Sequence, residues 1–307
     1  MTYEEALMAK AAWYYYFQDL TQQQISERLG ISRIRVIRLL EKARQAGMIQ
    51  FSLRCGNERR LQLEQRLMET YRLQDVFLVP GPVDPALISE NAANAAGMYI
   101  LEHLKPDSFI NIGSGETASL LLRRLASLAS TPITCVSLTG GVSGYLPDPR
   151  QSVFTARLHL IPSPLLAPSR EFAESIWQTE EVKRISRMIS QAQLSVVGIG
   201  SVSPDAPLFR NGILSRSDFE HLTAQGAQGE VLTHFLDARG RLIPSPVEER
   251  LISTSLDRLR TLPQVIGVAA GAPKVPAIRA ALLAGFLDIL ISDMDTAEAL
   301  LTSDPSA

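Results

Sequence analysis

Gly113-Ser114-Gly115-Glu116-Thr117 sets two glycines, two hydroxyls and a carboxylate between an apolar run, Phe109 to Ile112, and the helical pattern of Thr117–Leu128. Glycines let the backbone turn sharply and approach a ligand closely. A helix starting there aims its free N–H groups and positive end at the turn, and Ser114, Thr117 and Ser119 add hydroxyl donors. The chemistry is that of a cradle for an anion such as a phosphate. Such a turn also serves plain packing, and this one has neither the Gly-Lys-Ser/Thr ending of a Walker loop nor the GxGxxG spacing. Three further turns are built alike: Thr139-Gly140-Gly141, Gly198-Ile199-Gly200-Ser201 and Ala269-Ala270-Gly271-Ala272-Pro273-Lys274. Lys274 adds a point charge. Together the four turns suit one pocket.

A catalytic set is harder to assemble. His103, His159, His221 and His234 are scattered without metal-ligand spacing and read as surface or core residues; no G-x-S-x-G elbow is present. Cys55 and Cys135, far apart, suit buried or inert thiols rather than a disulfide or a zinc site. Glu230, Asp237, Asp293 and Asp295 sit in or near turns, where a carboxylate either binds sugar hydroxyls or acts as a base. No catalytic residue, metal or cofactor is assigned.

A second constellation lies near the N-terminus. The first sixty residues hold ten Lys and Arg against six Asp and Glu, while the whole chain carries −2. A basic end on an acidic body suits a polyanionic partner, although solvated helix faces give the same count. Within "LTQQQISERLGISRIRVIRLLEKARQAGMI", Thr21 and Gln24 form a capping box, Gly30-Ile31 a turn, Ser32 an N-cap, and Gly47 a stop. Ile25, Leu29, Ile31, Val36 and Leu40 fall on the inner side, against a core built from "AAWYYYF" around Trp13. Arg33, Arg35 and Arg38 stay outside. The pattern is a helix-turn-helix whose second helix fits the DNA major groove: arginine offers paired donors to guanine, Gln22, Gln23 and Ser32 reach phosphates or bases, and Ile37 meets a thymine methyl. A plain three-helix unit is the competing reading. One such unit reads too few bases for a genomic site, so an oligomer on paired half-sites is expected.

These residues need elements to hold them. From Asp75 onward, apolar runs such as "DVFLVPG", "SFINIGSG", "ITCVSLTGG", "LSVVGIGS", "VIGVAAG" and "LDILISD" alternate with helical stretches, the rhythm of a parallel or mostly parallel sheet covered by helices. Ligands in such sheets bind beyond the carboxyl ends of the strands. Residues 1–54 are expected to form the helix-turn-helix domain, with Met48–Arg54 a short strand as in winged variants. Residues 55–74, amphipathic through Leu61, Leu63, Leu67 and Met68, form a linker helix or an oligomer seam, and residues 75–307 the α/β domain. At 307 residues, 46% hydrophobic and 20% charged, disorder is excluded. With no long apolar run and an acidic start, a cytoplasmic protein with no membrane contact is expected.

The order of "LTQQQISERLGISRIRVIRLLEKARQAGMI", "INIGSGETA", "SLTGGV", "VVGIGSV", "FLDARG" and "GVAAGAPKVPAIRAALLAGFLDILISDMDTAEALL" resembles the SorC family of bacterial sugar-responsive transcription regulators over essentially the full length. Within the family the likeness is greatest to the repressor that responds to phosphorylated autoinducer-2. The resemblance implies a Rossmann-like effector domain built like sugar-phosphate isomerases but without their activity, a tetramer, and operator binding controlled by a phosphorylated metabolite. It implies DNA contacts at Tyr16, Gln23, Arg33 and Arg35, and effector contacts at Ser114, Gly115, Glu116, Thr117, Gly140, Gly141, Glu230 and Lys274, which Gly113 adjoins. That repressor resembles this chain with Gly-Phe-Gly-Glu-Ala at Gly113–Thr117 and Asp at Glu230, so a phosphorylated sugar or polyol is expected here instead. A carbohydrate-operon regulator is the leading reading; a sugar-phosphate isomerase-like enzyme with an accessory helical domain, or an adaptor, are the alternatives.

Overall fold

The computed structural model describes residues 2–18, 20–46, 48, 57–82, 84–105, 108–128, 133–141 and 157–302. Gly47, Cys55 and all but Met48 of the strand expected over Met48–Arg54 lie outside them. The chain forms two compact units, Met1–Glu58 and Arg59–Ala307.

The first unit holds three helices: α1 (Tyr3–Tyr16), α2 (Gln22–Leu29) and α3 (Arg33–Gln45). Capping boxes open two of them, Thr2 with Glu5 and Thr21 with Gln24. Gly30 closes α2 with φ 62°, a left-handed conformation that glycine adopts without a Cβ penalty. Two residues on, the Ser32 hydroxyl accepts from the Arg35 N–H and starts α3. The core is Leu7, Met8, Ala11, Ala12, Ile25, Val36, Leu39, Leu40 and Ala43. The expected Trp13-centred core is therefore corrected: Trp13 is 53% and Phe17 72% exposed. Ala11 and Ala12 lie in this core, while Trp13 and Phe17 stay outside it and stack on each other at 4.5 Å. Tyr14, Tyr15 and Tyr16 pack, half-buried, against this core together with Leu20, Leu29 and Ile31.

The second unit opens with α4 (Glu58–Tyr71), which buries Leu63 and Leu67 in the core of the larger unit and leaves Leu61 exposed. Then follow β1 (Asp75–Val79), α5 (Ile88–His103), β2 (Phe109–Ile112), α6 (Glu116–Leu128), β3 (Thr134–Ser137), β4 (Arg157–His159), α7 (Arg170–Gln178), α8 (Glu180–Gln191) and β5 (Leu194–Gly198). A small insertion comes next: β6 (Gly200–Ser201), α9 (Pro207–Arg210), α10 (Arg216–Ala224), β7 (Ala227–Val231), β8 (His234–Asp237), α11 (Pro246–Arg250) and α12 (Leu256–Leu259). The chain returns through β9 (Val265–Val268), α13 (Val275–Leu283), β10 (Ile289–Asp293) and α14 (Met294–Thr302).

Seven strands make one sheet in the order β1-β10-β9-β5-β2-β3-β4, every pairing parallel. Both faces are covered, which is why β9 and β10 are buried at every position. Leu121, Leu122 and Leu125 of α6 with Ala92, Ala96 and Ile100 of α5 fill one face, and Ile185 and Ile189 of α8, Ile278 of α13 and Leu300 of α14 the other. Glu64 of α4 accepts the Leu78 N–H at 2.9 Å on edge strand β1, occupying a donor that would otherwise template another strand. From β2 the chain winds outward to β3 and β4, and from β5 it winds the other way to β9 and β10. The switch point therefore lies between β5 and β2, where such sheets open a crevice.

A feature absent from the sequence reading is the antiparallel sheet β6-β7-β8. Its hairpin turn, Leu232-Thr233, has φ 55° and 68°, left-handed at two residues that disfavour it. Tertiary contacts hold it: Leu232 is buried, and its carbonyl accepts from the Ser253 hydroxyl at 3.0 Å.

Candidate functional site

The four glycine-rich turns leave the carboxyl ends of four adjacent strands, β9, β5, β2 and β3, and so do share one edge of the sheet. Gly113 donates to Val196 O at 2.8 Å, pinning its turn to β5; a Cβ there would lie 2.8 Å from Leu232 Cδ2, so the strained hairpin packs directly on this glycine. Gly115, at φ 114°, makes the bend from which α6 starts. Glu116 is then the first residue of α6, and Ser119 donates its hydroxyl to Gly115 O at 3.1 Å. Thr117 is buried beside Gly198. Gly140 donates to Ile252 O and Gly141 to Ser163 O, and a Cβ on Gly140 would collide with Pro164 O.

Glu230 enters from β7. Its Oε2 accepts the Thr233 N–H at 2.7 Å, and its Oε1 lies across Gly200, where a Cβ would overlap it. Burial pushes the Glu230 carboxyl up from the usual carboxylate range, against the Thr233 N–H, Lys274 and His234, which favour its ionised form. Lys274 stands where a 3-10 turn meets α13, and its ammonium is lowered by burial while Glu116 and Glu230 oppose the shift. Two carboxyl groups thus converge on one lysine beside a turn rich in N–H donors. Carboxylates accept from hydroxyls, whereas lysine and backbone N–H groups hold an anion, so a polyhydroxylated ligand carrying a negative group matches the donor set.

Of the remaining carboxylates, Asp295 is exposed, and Asp293 and Asp237 are engaged in the structure itself. Asp293 accepts from Gly271 N–H at 3.0 Å and from the Thr296 N–H and hydroxyl, which shapes the turn before Lys274. Asp237 is bound by the Arg241 side chain and by the Arg239 and Arg241 N–H groups. Burial pushes the Cys135 thiol up to about 12, leaving it un-ionised. His103 stacks on Tyr99, His221 is exposed, and His159 is half-buried. Buried His234 holds Glu248 through Nδ1 at 2.9 Å and Thr254 O through Nε2 at 3.0 Å. The hairpin turn, the contact of Gly200 with Glu230 and the His234 brace escaped the sequence reading, which had Gly200 only as part of a turn. The second glycine of Gly198-Ile199-Gly200 was the one available signal.

In the first unit, an open cleft is lined by Tyr16, Gln22, Gln23 and Arg33 with Tyr15, Leu20 and Thr21, so four of the expected DNA-facing residues do meet. Arg44 fixes Tyr16 by donating Nε–H to its hydroxyl at 2.9 Å. Ser32, Arg33, Arg35, Ile37 and Arg38 are all exposed along α3.

The sugar-binding domain family model matches residues 56–302. The crystal structure of the full-length sorbitol operon regulator SorC from Klebsiella pneumoniae is 26% identical, covers 98% of this chain and 100% of its own, and superimposes with a TM-score of 0.69. The transcriptional regulator LsrR of Escherichia coli K12 is 36% identical over 304 residues, 98% of this chain and 96% of that protein. This chain belongs to the SorC family of sugar-binding transcriptional regulators. Residues 13–46 of this SorC-family regulator also match the sigma-70 region 4 model, which spans the end of α1 through α3. LsrR of Klebsiella pneumoniae, 33% identical over 302 residues, is a further transcriptional regulator. The relatives of this regulator are not enzymes, and the isomerase alternative gives way to a sugar-responsive regulator with a DNA-binding helix-turn-helix.

Proposed function

We propose that this regulator controls a carbohydrate-utilisation operon and that a phosphorylated sugar or polyol, bound at the carboxyl edge of the parallel sheet, sets its affinity for operator DNA. The observation that carries the reading is the meeting of Glu116, Glu230 and Lys274 beside the Gly113–Thr117 turn. In this reading Glu116 and Glu230 grip hydroxyls. Ser114, Gly115, Thr117 and Lys274 take the phosphate, because two carboxylates outweigh one lysine and the anion must lean on N–H and hydroxyl donors, while Gly140 and Gly141, whose N–H groups already donate to Ile252 O and Ser163 O, line the site without a side chain. Ser114 is the residue that selects among sugars. Tyr16, Gln22, Gln23, Ser32, Arg33, Arg35, Ile37 and Arg38 face DNA. Residues 1–54 serve as the DNA-binding domain, 55–74 as the connecting helix and 75–307 as the effector and oligomerisation domain of a cytoplasmic homo-oligomer, a tetramer by family resemblance. Among the described residues no helix is long and apolar enough to cross a membrane.

The ligand need supply little energy: a tenfold change in operator affinity takes about 1.4 kcal/mol of coupling. Thermal-shift screening against pentose, hexose and polyol phosphates and their unphosphorylated counterparts tests the reading. A ligand at about 100 times its dissociation constant stabilises by roughly 2.7 kcal/mol. Lys274→Ala is expected to abolish the preference for the phosphorylated member of a pair. No shift with any sugar or sugar phosphate, or a preference that survives in that variant, contradicts the assignment.

A further inference from the structure

Helix α3 buries Val36, Leu39, Leu40 and Ala43. At roughly 100° per residue, the line opposite that stripe runs through Ile34, Arg38 and Glu41, with Ile37 at its edge. The residue aimed most directly away from the core, in the first turn of the helix, is therefore an isoleucine. Ile34 is 65% exposed and Ile37, one turn on, is 41% exposed. Arg33 and Arg35 lie to either side of this line. The cations further along are engaged elsewhere: Lys42 pairs with Glu4 at 2.6 Å and Arg44 with the Tyr16 hydroxyl.

An exposed isoleucine at the centre of the outward face of an arginine-bearing helix, with a second one turn on at its edge, gains nothing from water. Its surroundings select duplex DNA as the occupant: the flanking charge is positive, and the N-terminal turn of the second helix of such a motif is the part that meets base edges. In the major groove the thymine 5-methyl is the apolar feature that distinguishes one base from another. We propose that Ile34 and Ile37 read thymine methyl groups, that Arg38 between them and Glu41 is the base-reading arginine, and that Arg33 and Arg35 straddle the groove on phosphates. This rests on the DNA-binding role of the first unit and deepens it. It also narrows the base-reading arginine from Arg33, Arg35 and Arg38 to Arg38, and adds Ile34 to Ile37 as a methyl reader.

The test uses the full chain. Duplexes enriched from a randomised pool by the wild-type protein are resynthesised with each thymine replaced in turn by deoxyuridine, which removes the methyl and keeps base pairing. Burying one methyl-sized group corresponds to about a fourfold change in affinity. At least one thymine per half-site is expected to show that loss. In Ile34→Ala or Ile37→Ala the loss at the matching thymine is expected to disappear, with thermal unfolding of the variant unchanged. Arg33→Gln is expected to weaken all duplexes alike and to lower the salt dependence, whereas Arg38→Gln relaxes preference at one base pair. The proposal is overturned if uracil is tolerated everywhere by the wild type, or if the alanine variants keep the wild-type uracil penalty. The second result, joined to a changed sedimentation coefficient, would identify the isoleucines as a contact between copies. Absence of any enriched duplex would overturn the DNA-binding role itself and this inference with it.

Discussion

Replacing Gly200 by alanine should separate ligand recognition from folding. Gly200 lies in β6 opposite Glu230, and the added Cβ would overlap Glu230 Oε1 and lie 2.9 Å from its Cδ. The obstacle is the tip of a flexible side chain, so the backbone stays in place and the carboxylate swings away. Moving it breaks the 2.7 Å bond from the Thr233 N–H, a charge-assisted hydrogen bond of about 1.5–3 kcal/mol. Against that, alanine reduces the freedom of the unfolded chain, which stabilises by about 0.4–1 kcal/mol where the backbone conformation suits it. The net change in stability is a loss of about 0.5–2.6 kcal/mol. The effector loses its partner carboxylate, a further charge-assisted bond of about 1.5–3 kcal/mol, or about ten- to hundredfold in affinity. Calorimetric titration with the ligand found by thermal-shift screening, beside urea unfolding of the same preparation, reads both quantities. Operator affinity without ligand should be unchanged. Wild-type ligand affinity in Gly200→Ala would refute the placing of Glu230 in the effector site.

Glu230→Gln should raise the unfolding temperature at neutral pH, with the difference vanishing in acid. Burial raises the native Glu230 pKa above its unfolded value, so the native state holds the proton more tightly; the stability this gives is complete below the unfolded pKa and is lost as pH rises through the native one. A melting series against pH checks it. His234→Ala leaves Glu248 and Thr254 O without their partner beneath the hairpin, and should cost about 2–4 kcal/mol in urea unfolding while His234→Gln costs less. Ser32→Ala removes the N-cap of α3 and should lower helix stability by about 1 kcal/mol, seen as a weaker operator complex with unchanged ligand binding.

Much of this was legible in the residues because their local rules agree. Thr21, Gln24, Gly30 and Ser32 each have one natural place in a helix-turn-helix, and the structure uses them there. The parallel sheet was readable because strands covered on both faces become unbroken apolar runs, as in Val265–Val268. The misses have a common physical origin in tertiary context. Trp13 and Phe17 are apolar enough for a core, but it is the small pair Ala11-Ala12 of α1 that the core takes in. Leu232 and Thr233 have no turn-forming character and hold left-handed angles only because Ser253, Glu230 and the space over Gly113 fix them. The carboxylates Asp237, Asp293 and Glu230 look equivalent in sequence. Hydrogen bonds to their own turns absorb Asp293 and Asp237, while Glu230 is the one placed beside Lys274.

The central claim is that the two ends of this chain are coupled. Retardation of DNA from upstream of its own operon, titrated with and without the sugar phosphate that stabilises the protein, measures that coupling directly. The account predicts at least a tenfold change in operator affinity with that ligand and none in Lys274→Ala. Equal operator affinity at zero and saturating ligand, in a protein that demonstrably binds both, would contradict it.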